Sequence, residues 1–142
     1  MSIWRDLKTL EELNAPGPSM NTYLDIKIIE IGADYLRGTM PVDARTLQPY
    51  GLLHGGASVA LAETLGSVAA SMCVDPGHIV VGQDINANHV RSARSGLVTG
   101  TTRPVHIGGR SHVWTIEIVD DAGNLVCISR LTIAVIKRGV LS

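Results

Sequence analysis

Between Gly51 and Val74 the chain is small and apolar, and Glu63 is its only carboxylate; His54 and the Cys73 thiol are the other titratable groups there. An ionised carboxylate in such company costs free energy, because burial disfavours its charge. Glu63 is therefore the first candidate for chemistry, its other reading being a solvated residue on an exposed helix edge. The run Gly51-Leu52-Leu53-His54-Gly55-Gly56-Ala57-Ser58 opens the same segment. The first turn of a helix has backbone N–H groups without helical partners, and Gly55 and Gly56 carry no side chain to keep a ligand away from them. Such a terminus stabilises negative charge, including the oxyanion formed when a carbonyl carbon is attacked. Close packing at the helix start is an equally open reading of the two glycines.

Glu63 follows Gly55 by eight residues, about 12 Å along one helix axis. No single acyl carbon touches both. If the two act on one atom, they come from two chains whose helices run antiparallel across a two-fold axis, as in an isologous dimer. Ser67 lies at i+4 from Glu63 on the same helix face. It either orients the carboxylate or a water, or is a small residue that allows close packing.

The elements that must hold these residues are legible in outline. Residues 55–73 contain no Pro and place Ala57, Leu61, Leu65, Val68 and Met72 at helical spacing, which predicts a helix about 28 Å long stopped by Asp75-Pro76-Gly77. Thr9-x-x-Glu12 has the spacing of a capping box, with Leu7, Leu10 and Leu13 on one side of a short helix that Ala15-Pro16-Gly17-Pro18 ends. Strands are expected over 22–31 and 35–42 around a Gly32-Ala33-Asp34 turn, and then over 79–90, 97–106, 111–119 and 125–136, the last two joined by a hairpin at 120–124. Four successive strands without helices between them imply an antiparallel sheet that curls around the long helix, an α+β domain covering residues 1–142.

Composition narrows the function. With a formal net charge of -1 and a pI near 6.5, no general field draws the chain onto nucleic acid or a membrane, so phosphate binding requires a local basic cluster. The absence of Phe implies an aliphatic core. Cys73 and Cys127 have no paired or metal-like spacing and read as buried free thiols of a cytoplasmic protein, with no metal and no cofactor. The N-terminus shows no signal peptide, and His54, Glu63 and the repeated Gly and Ser make residues 51–74 too polar for a membrane span.

The run from Gln48 through Ser67, including Tyr50-Gly51-Leu52-Leu53-His54-Gly55-Gly56 and Ala62-Glu63-Thr64, resembles hotdog-fold acyl-CoA thioesterases of the Arthrobacter 4-hydroxybenzoyl-CoA thioesterase type. It is most similar to the bacterial branch holding the 1,4-dihydroxy-2-naphthoyl-CoA thioesterase of menaquinone synthesis and the proofreading thioesterase of enterobactin synthesis. Met40-Pro41-Val42-Asp43, Asn86-Ala87-Asn88-His89-Val90-Arg91 and Ser129-Arg130-Leu131-Thr132 extend the likeness over nearly the whole chain. The resemblance implies a curved antiparallel sheet wrapped around one central helix, and hydrolysis of an acyl-CoA thioester, with aroyl groups favoured. It casts Glu63 as nucleophile or general base and the partner chain's Gly55 N–H as the group that polarises the thioester carbonyl. Gln48 and His54 sit beside that carbonyl in this assignment, and Ser67 supports Glu63. A thioester needs no metal, since the thiolate leaves readily once the carbonyl is activated.

For CoA, the resemblance assigns the groove to Gly82, to His89, Val90, Arg91 and Ser92, and to His106, Ile107, Gly108, Gly109, Arg110 and Ser111; a Gly-rich loop with a cation and a hydroxyl suits phosphate or amide oxygens. It also implies a homodimer, associating into a dimer-of-dimers tetramer, and leaves an aroyl carrier protein open as an acyl donor. His78 and His112 match no role and read as structural. The acyl pocket is expected along the Tyr50 loop and the Val59, Glu63 and Val68 side of the helix. Two other functions share the fold: acyl-CoA hydration or dehydration, which needs a proton-transfer pair that the helix does not offer, and non-catalytic acyl-CoA sensing, which needs a DNA-binding segment or a lost acid, neither of which the sequence shows.

Overall fold

The computed structural model describes residues 1–140. Two single-turn helices, α1 (Leu10–Leu13) and α2 (Met20–Tyr23), precede strands β1 (Lys27–Ile31) and β2 (Leu36–Pro41). The long helix α3 (Gly55–Ser71) follows, then β3 (His78–His89), β4 (Leu97–Ile107), β5 (Ser111–Val119) and β6 (Leu125–Lys137). The six strands form one antiparallel sheet in the order β1-β2-β4-β5-β6-β3.

Helix α3 lies across the sheet and buries Leu61, Ala62, Leu65, Ala69 and Ala70. Leu36, Met40, Val98, Trp114, Ile116, Ile118, Leu131 and Ile133 complete the core from the strands. With no Phe to fill space, the helix approaches closely: a Cβ on Gly38 or Gly100 would stand 2.6 Å from the Leu65 side chain. Two strand glycines thus make the groove that seats the central leucine.

The N-terminal segment ties down the far end of α3. The Arg5 and Asp6 N–H groups donate to the Met72 carbonyl at 2.8 and 3.0 Å, occupying a helix-end acceptor that would otherwise lack a partner. The helix accordingly stops at Ser71, two residues before the expected end. Thr9 and Glu12 close the expected capping box around α1. Its leucine face does not bury as a unit, because Leu7 and Leu10 remain exposed and Leu13 alone packs against the core.

One expected strand is corrected. Residues 22–23 belong to α2, whose N-cap Ser19 accepts from the Thr22 N–H at 3.2 Å. Asp25, at φ 55, then turns the chain before β1 starts at Lys27. The β-branched and aromatic residues of 22–24 favour a strand, but the local Ser side-chain cap wins. The other five strands fall within two residues of expectation, and Gly123, at φ +83, supplies the turn between β5 and β6.

Candidate active site

His54 is the N-cap of α3 and determines which N–H groups of the first turn remain open. Its Nδ1 accepts from the Gly56 N–H at 2.8 Å, and its carbonyl accepts from the Ala57 and Ser58 N–H groups at 3.0 and 3.2 Å. An accepting Nδ1 places the ring proton on Nε2. The Gly55 N–H has no partner among the described residues. His54 therefore caps its neighbour and leaves one donor, at Gly55, pointing out of the helix.

That donor borders a cleft of about 370 Å³ lined by Gln48, Leu53, Gly55, Ser58 and the segment His89 to Ser92. Gln48 is held in a tight loop: its side-chain oxygen accepts from the Tyr50 N–H, and its backbone N–H donates to the Leu52 carbonyl at 2.7 Å. The His89 ring covers Gly55 so closely that a Cβ there would lie 2.8 Å from Nε2. Six sequence candidates, Gln48, Gly55, His89, Val90, Arg91 and Ser92, thus meet in one place.

Glu63 is elsewhere. It is half-buried, has no salt-bridge or hydrogen-bond partner among the described residues, and lines a hollow of about 300 Å³ with Met20, Asn21, Ala60, Thr64, Ser67 and Val68. Ser67 shares the hollow, but the two side chains are not hydrogen-bonded to each other. Tyr50 and Val59, expected around the acyl group, do not line this hollow; Met20 and Asn21 of α2 supply the wall opposite Ala60, Thr64 and Val68. The sequence signal for that wall was Ser19-x-x-Thr22, a helix-cap spacing that runs into the start of the expected strand.

Gly82, expected only as a groove residue, lies directly under the acid. A Cβ on Gly82 would stand 2.3 Å from Glu63 Oε1. A β-bulge between Gly82 and Asp84 resets the alternation, so Gly82, Ile85, Ala87 and His89 all face α3. One strand thus carries the floor under Glu63 and the lid over Gly55.

His106 to Ser111 line neither of these hollows. They form the β4–β5 connection, where Gly108 donates to the Ser111 carbonyl at 2.9 Å, and Ile107, Gly108 and Gly109 border a hollow at the C-terminal end of α3 with Arg5, Cys73 and His78. His112 is buried there, and burial pulls its imidazole pKa below the usual value, with nearby His106 acting in the same direction. Cys73 and Cys127 are buried and unpaired.

One antiparallel sheet curled around one long helix defines the class by its architecture: a hotdog-fold protein. The thioesterase superfamily model matches residues 50–127. The chain is 57% identical over 135 residues to a 1,4-dihydroxy-2-naphthoyl-CoA hydrolase of Escherichia coli, spanning 94% of this chain and 99% of that protein. It is 48% identical over 135 residues to the proofreading thioesterase EntH of Cronobacter sakazakii, covering 94% and 98%. Among solved structures, thioesterase HI1161 from Haemophilus influenzae superposes with a TM-score of 0.93 at 49% identity, covering 99% of this chain and 97% of that one. The chain belongs to the thioesterase superfamily and is a thioester-hydrolysing enzyme.

Proposed function

We propose that the protein hydrolyses an acyl-CoA thioester, with an aroyl group as the preferred acyl, at a site that joins Glu63 of one protomer to the Gly55 N–H of its partner. The observation that carries this reading is the separation of the two groups. Each is chemically open, each sits in its own hollow, and α3 holds them about 12 Å apart. A second, antiparallel copy of α3 centred near Val59 brings one chain's Glu63 level with the other's Gly55.

The sheet supports that assembly. Strand β3 pairs with β6 along one edge, and among the described residues no strand lies along its other edge. Every second residue of this twelve-residue strand turns its backbone N–H and C=O to the open edge, and with a single carboxylate, Asp84, that edge makes a template for a second copy. Antiparallel pairing of two β3 edges near Asn86 sets the residues beside Gly82 opposite the partner's His89, which covers the partner's Gly55. In the same arrangement the partner's helix continues about 14 Å past its Glu63 to Met72. That end carries its 106–111 loop toward this chain's His89, Arg91 and Ser92, so the two halves of the CoA groove come from different chains. Association of such dimers into tetramers belongs to this proposal, as does a cytoplasmic location; no helix among the described residues is long and apolar enough to cross a membrane.

The chemistry follows. The thioester oxygen faces the Gly55 N–H, and Gln48 lies beside it. Glu63 attacks the carbonyl carbon to give an anhydride that water then cleaves, or it takes a proton from the water that attacks. In either case the tetrahedral oxyanion is held by the helix N-terminus and the CoA thiolate leaves. The substrate of the E. coli relative makes 1,4-dihydroxy-2-naphthoyl-CoA, and with it menaquinone synthesis, the first substrate and pathway to try.

Thiol release should be followed from aroyl-CoA, alkanoyl-CoA and aroyl carrier-protein thioesters with wild type and Glu63→Gln. Loss of about 10² to 10⁴ in kcat with unchanged assembly is expected. Wild-type turnover by Glu63→Gln would remove Glu63 from the reaction.

A further inference from the structure

The four hydroxyls on α3 divide into two kinds. Those of Thr64 and Ser71 donate to the Ala60 and Val68 carbonyls in the turn before them, each at 2.7 Å, the usual use of a hydroxyl within a helix. Ser58 and Ser67 make no such bond among the described residues, and each lines one of the two hollows that hold the open groups, Ser67 beside Glu63 and Ser58 beside Gly55. For Ser58 the cause is local. Its helical acceptor, the His54 carbonyl, already takes the Ala57 and Ser58 N–H groups at 3.0 and 3.2 Å, so both lone pairs are in use. Ser58 is 1% exposed, yet its hydroxyl is not sealed in like the unpartnered ones of Thr102 and Ser129 in the sheet; that trace of surface opens on the cleft. A buried hydroxyl without a partner destabilises a fold unless something that binds there satisfies it.

We propose that Ser58 is a catalytic residue, its hydroxyl the second donor of the oxyanion site, acting beside the Gly55 N–H on the same thioester oxygen. This rests on the thioesterase reading above. Residues three apart are neighbours on a helix surface, and a helical side chain leans back toward the N-terminus over the turn before it. Ser58 follows Gly55 by about 4.5 Å along the axis, and that lean carries its Oγ back toward the Gly55 N–H, where one oxygen meets both. When Glu63 of the partner subunit, or the water it activates, adds to the carbonyl carbon, the C=O electron pair moves onto this oxygen. The N–H and the hydroxyl then share the charge, each keeping its proton, and the pair returns to re-form C=O as the CoA thiolate leaves. Each site thereby draws Gly55 and Ser58 from one chain, and Glu63 and Ser67 from the other.

The test is kcat, KM and Tm for wild type, Ser58→Ala and Ser58→Cys, with thiol release followed from one aroyl-CoA and one alkanoyl-CoA. Ser58→Ala should lower kcat and kcat/KM alike, about 10²-fold, and equally on both thioesters, since the oxyanion is common to them. Its Tm should hold or rise, because a buried hydroxyl without a partner has been removed. Ser58→Cys, close to Ser in size but a weak donor, should stay near the Ala variant in kcat. Wild-type kcat in Ser58→Ala would overturn the inference, as would a loss confined to KM. A fall in Tm and kcat that Ser58→Cys restores together would make Ser58 a packing residue and overturn it too. A wild type that releases no thiol from either thioester would instead overturn the thioesterase reading, and the inference with it.

Discussion

Replacing Gly55 by Pro deletes one hydrogen-bond donor while leaving the helix intact. Pro is well tolerated at the first helical position, where its missing N–H has no helical acceptor. The residue before Pro must be extended, and His54 already is, at φ -67 and ψ 132. The Gly55 N–H bonds to nothing among the described residues, so no intramolecular hydrogen bond is lost. What Pro does add is a Cβ 2.8 Å from His89 Nε2. That ring is exposed and can rotate aside, and Gly55→Ala adds the same Cβ while keeping the N–H. The ratio between the two variants therefore reports the loss of the N–H together with the ring Cδ that takes its place, with the Cβ cancelled. One oxyanion donor is worth about 10² to 10³ in kcat, or about 2.7 to 4 kcal/mol. The expected result is a Pro variant about 10² to 10³ slower than the Ala variant in thiol release, at matched Tm and assembly. Equal kcat for the two would refute the claim that this N–H stabilises the oxyanion.

Two further outcomes follow from contacts already described. Gly82→Ala pushes a methyl to within 2.3 Å of Glu63 Oε1, and the carboxylate must move by about 1 Å; kcat is expected to fall about 10²-fold while Tm stays within a few degrees, measured by thiol release and thermal unfolding. Burial pushes the Cys73 thiol up to about 11, with Arg5 opposing more weakly. Its reactive thiolate is then scarce at pH 8, and a raised pKa favours the folded state only while the thiol stays protonated, a contribution lost as pH climbs from 9 toward 11. Iodoacetamide at pH 8 should label Cys73 only at the rate at which the protein opens, accelerating with urea; fast labelling of the native protein would contradict its burial.

Much of this architecture was legible because local signals and packing agree. The α3 segment combines helix-forming residues, an apolar stripe and a Pro-Gly stop, and only its last two residues were misplaced, where the Arg5 and Asp6 N–H groups take over the Met72 carbonyl. Thr22 to Leu24 went the other way: three strand-favouring residues yielded to one Ser19 cap, a contact of a few atoms that composition does not weigh. Glu63 and Gly55 stood out by type and spacing. Gly82 was recognised as a site residue but assigned to the groove, because its place under Glu63 depends on a bulge that shifts the strand's facing by one residue. Met20 and Asn21 were missed outright, since nothing in sequence brings residue 21 beside residue 64.

The central claim, that each site draws on two chains, is tested most directly by complementation. Glu63→Gln and Gly55→Pro are each expected to be nearly inactive alone. When the two are mixed and allowed to exchange partners at random, half of the dimers carry one chain of each kind. In each of those dimers one site has both residues intact and the other has neither. Activity should therefore recover to about one quarter of wild type, a fraction that follows from the two-fold arrangement of the sites. A mixture no more active than the two variants measured separately would show that Glu63 and Gly55 do not serve one site across a dimer.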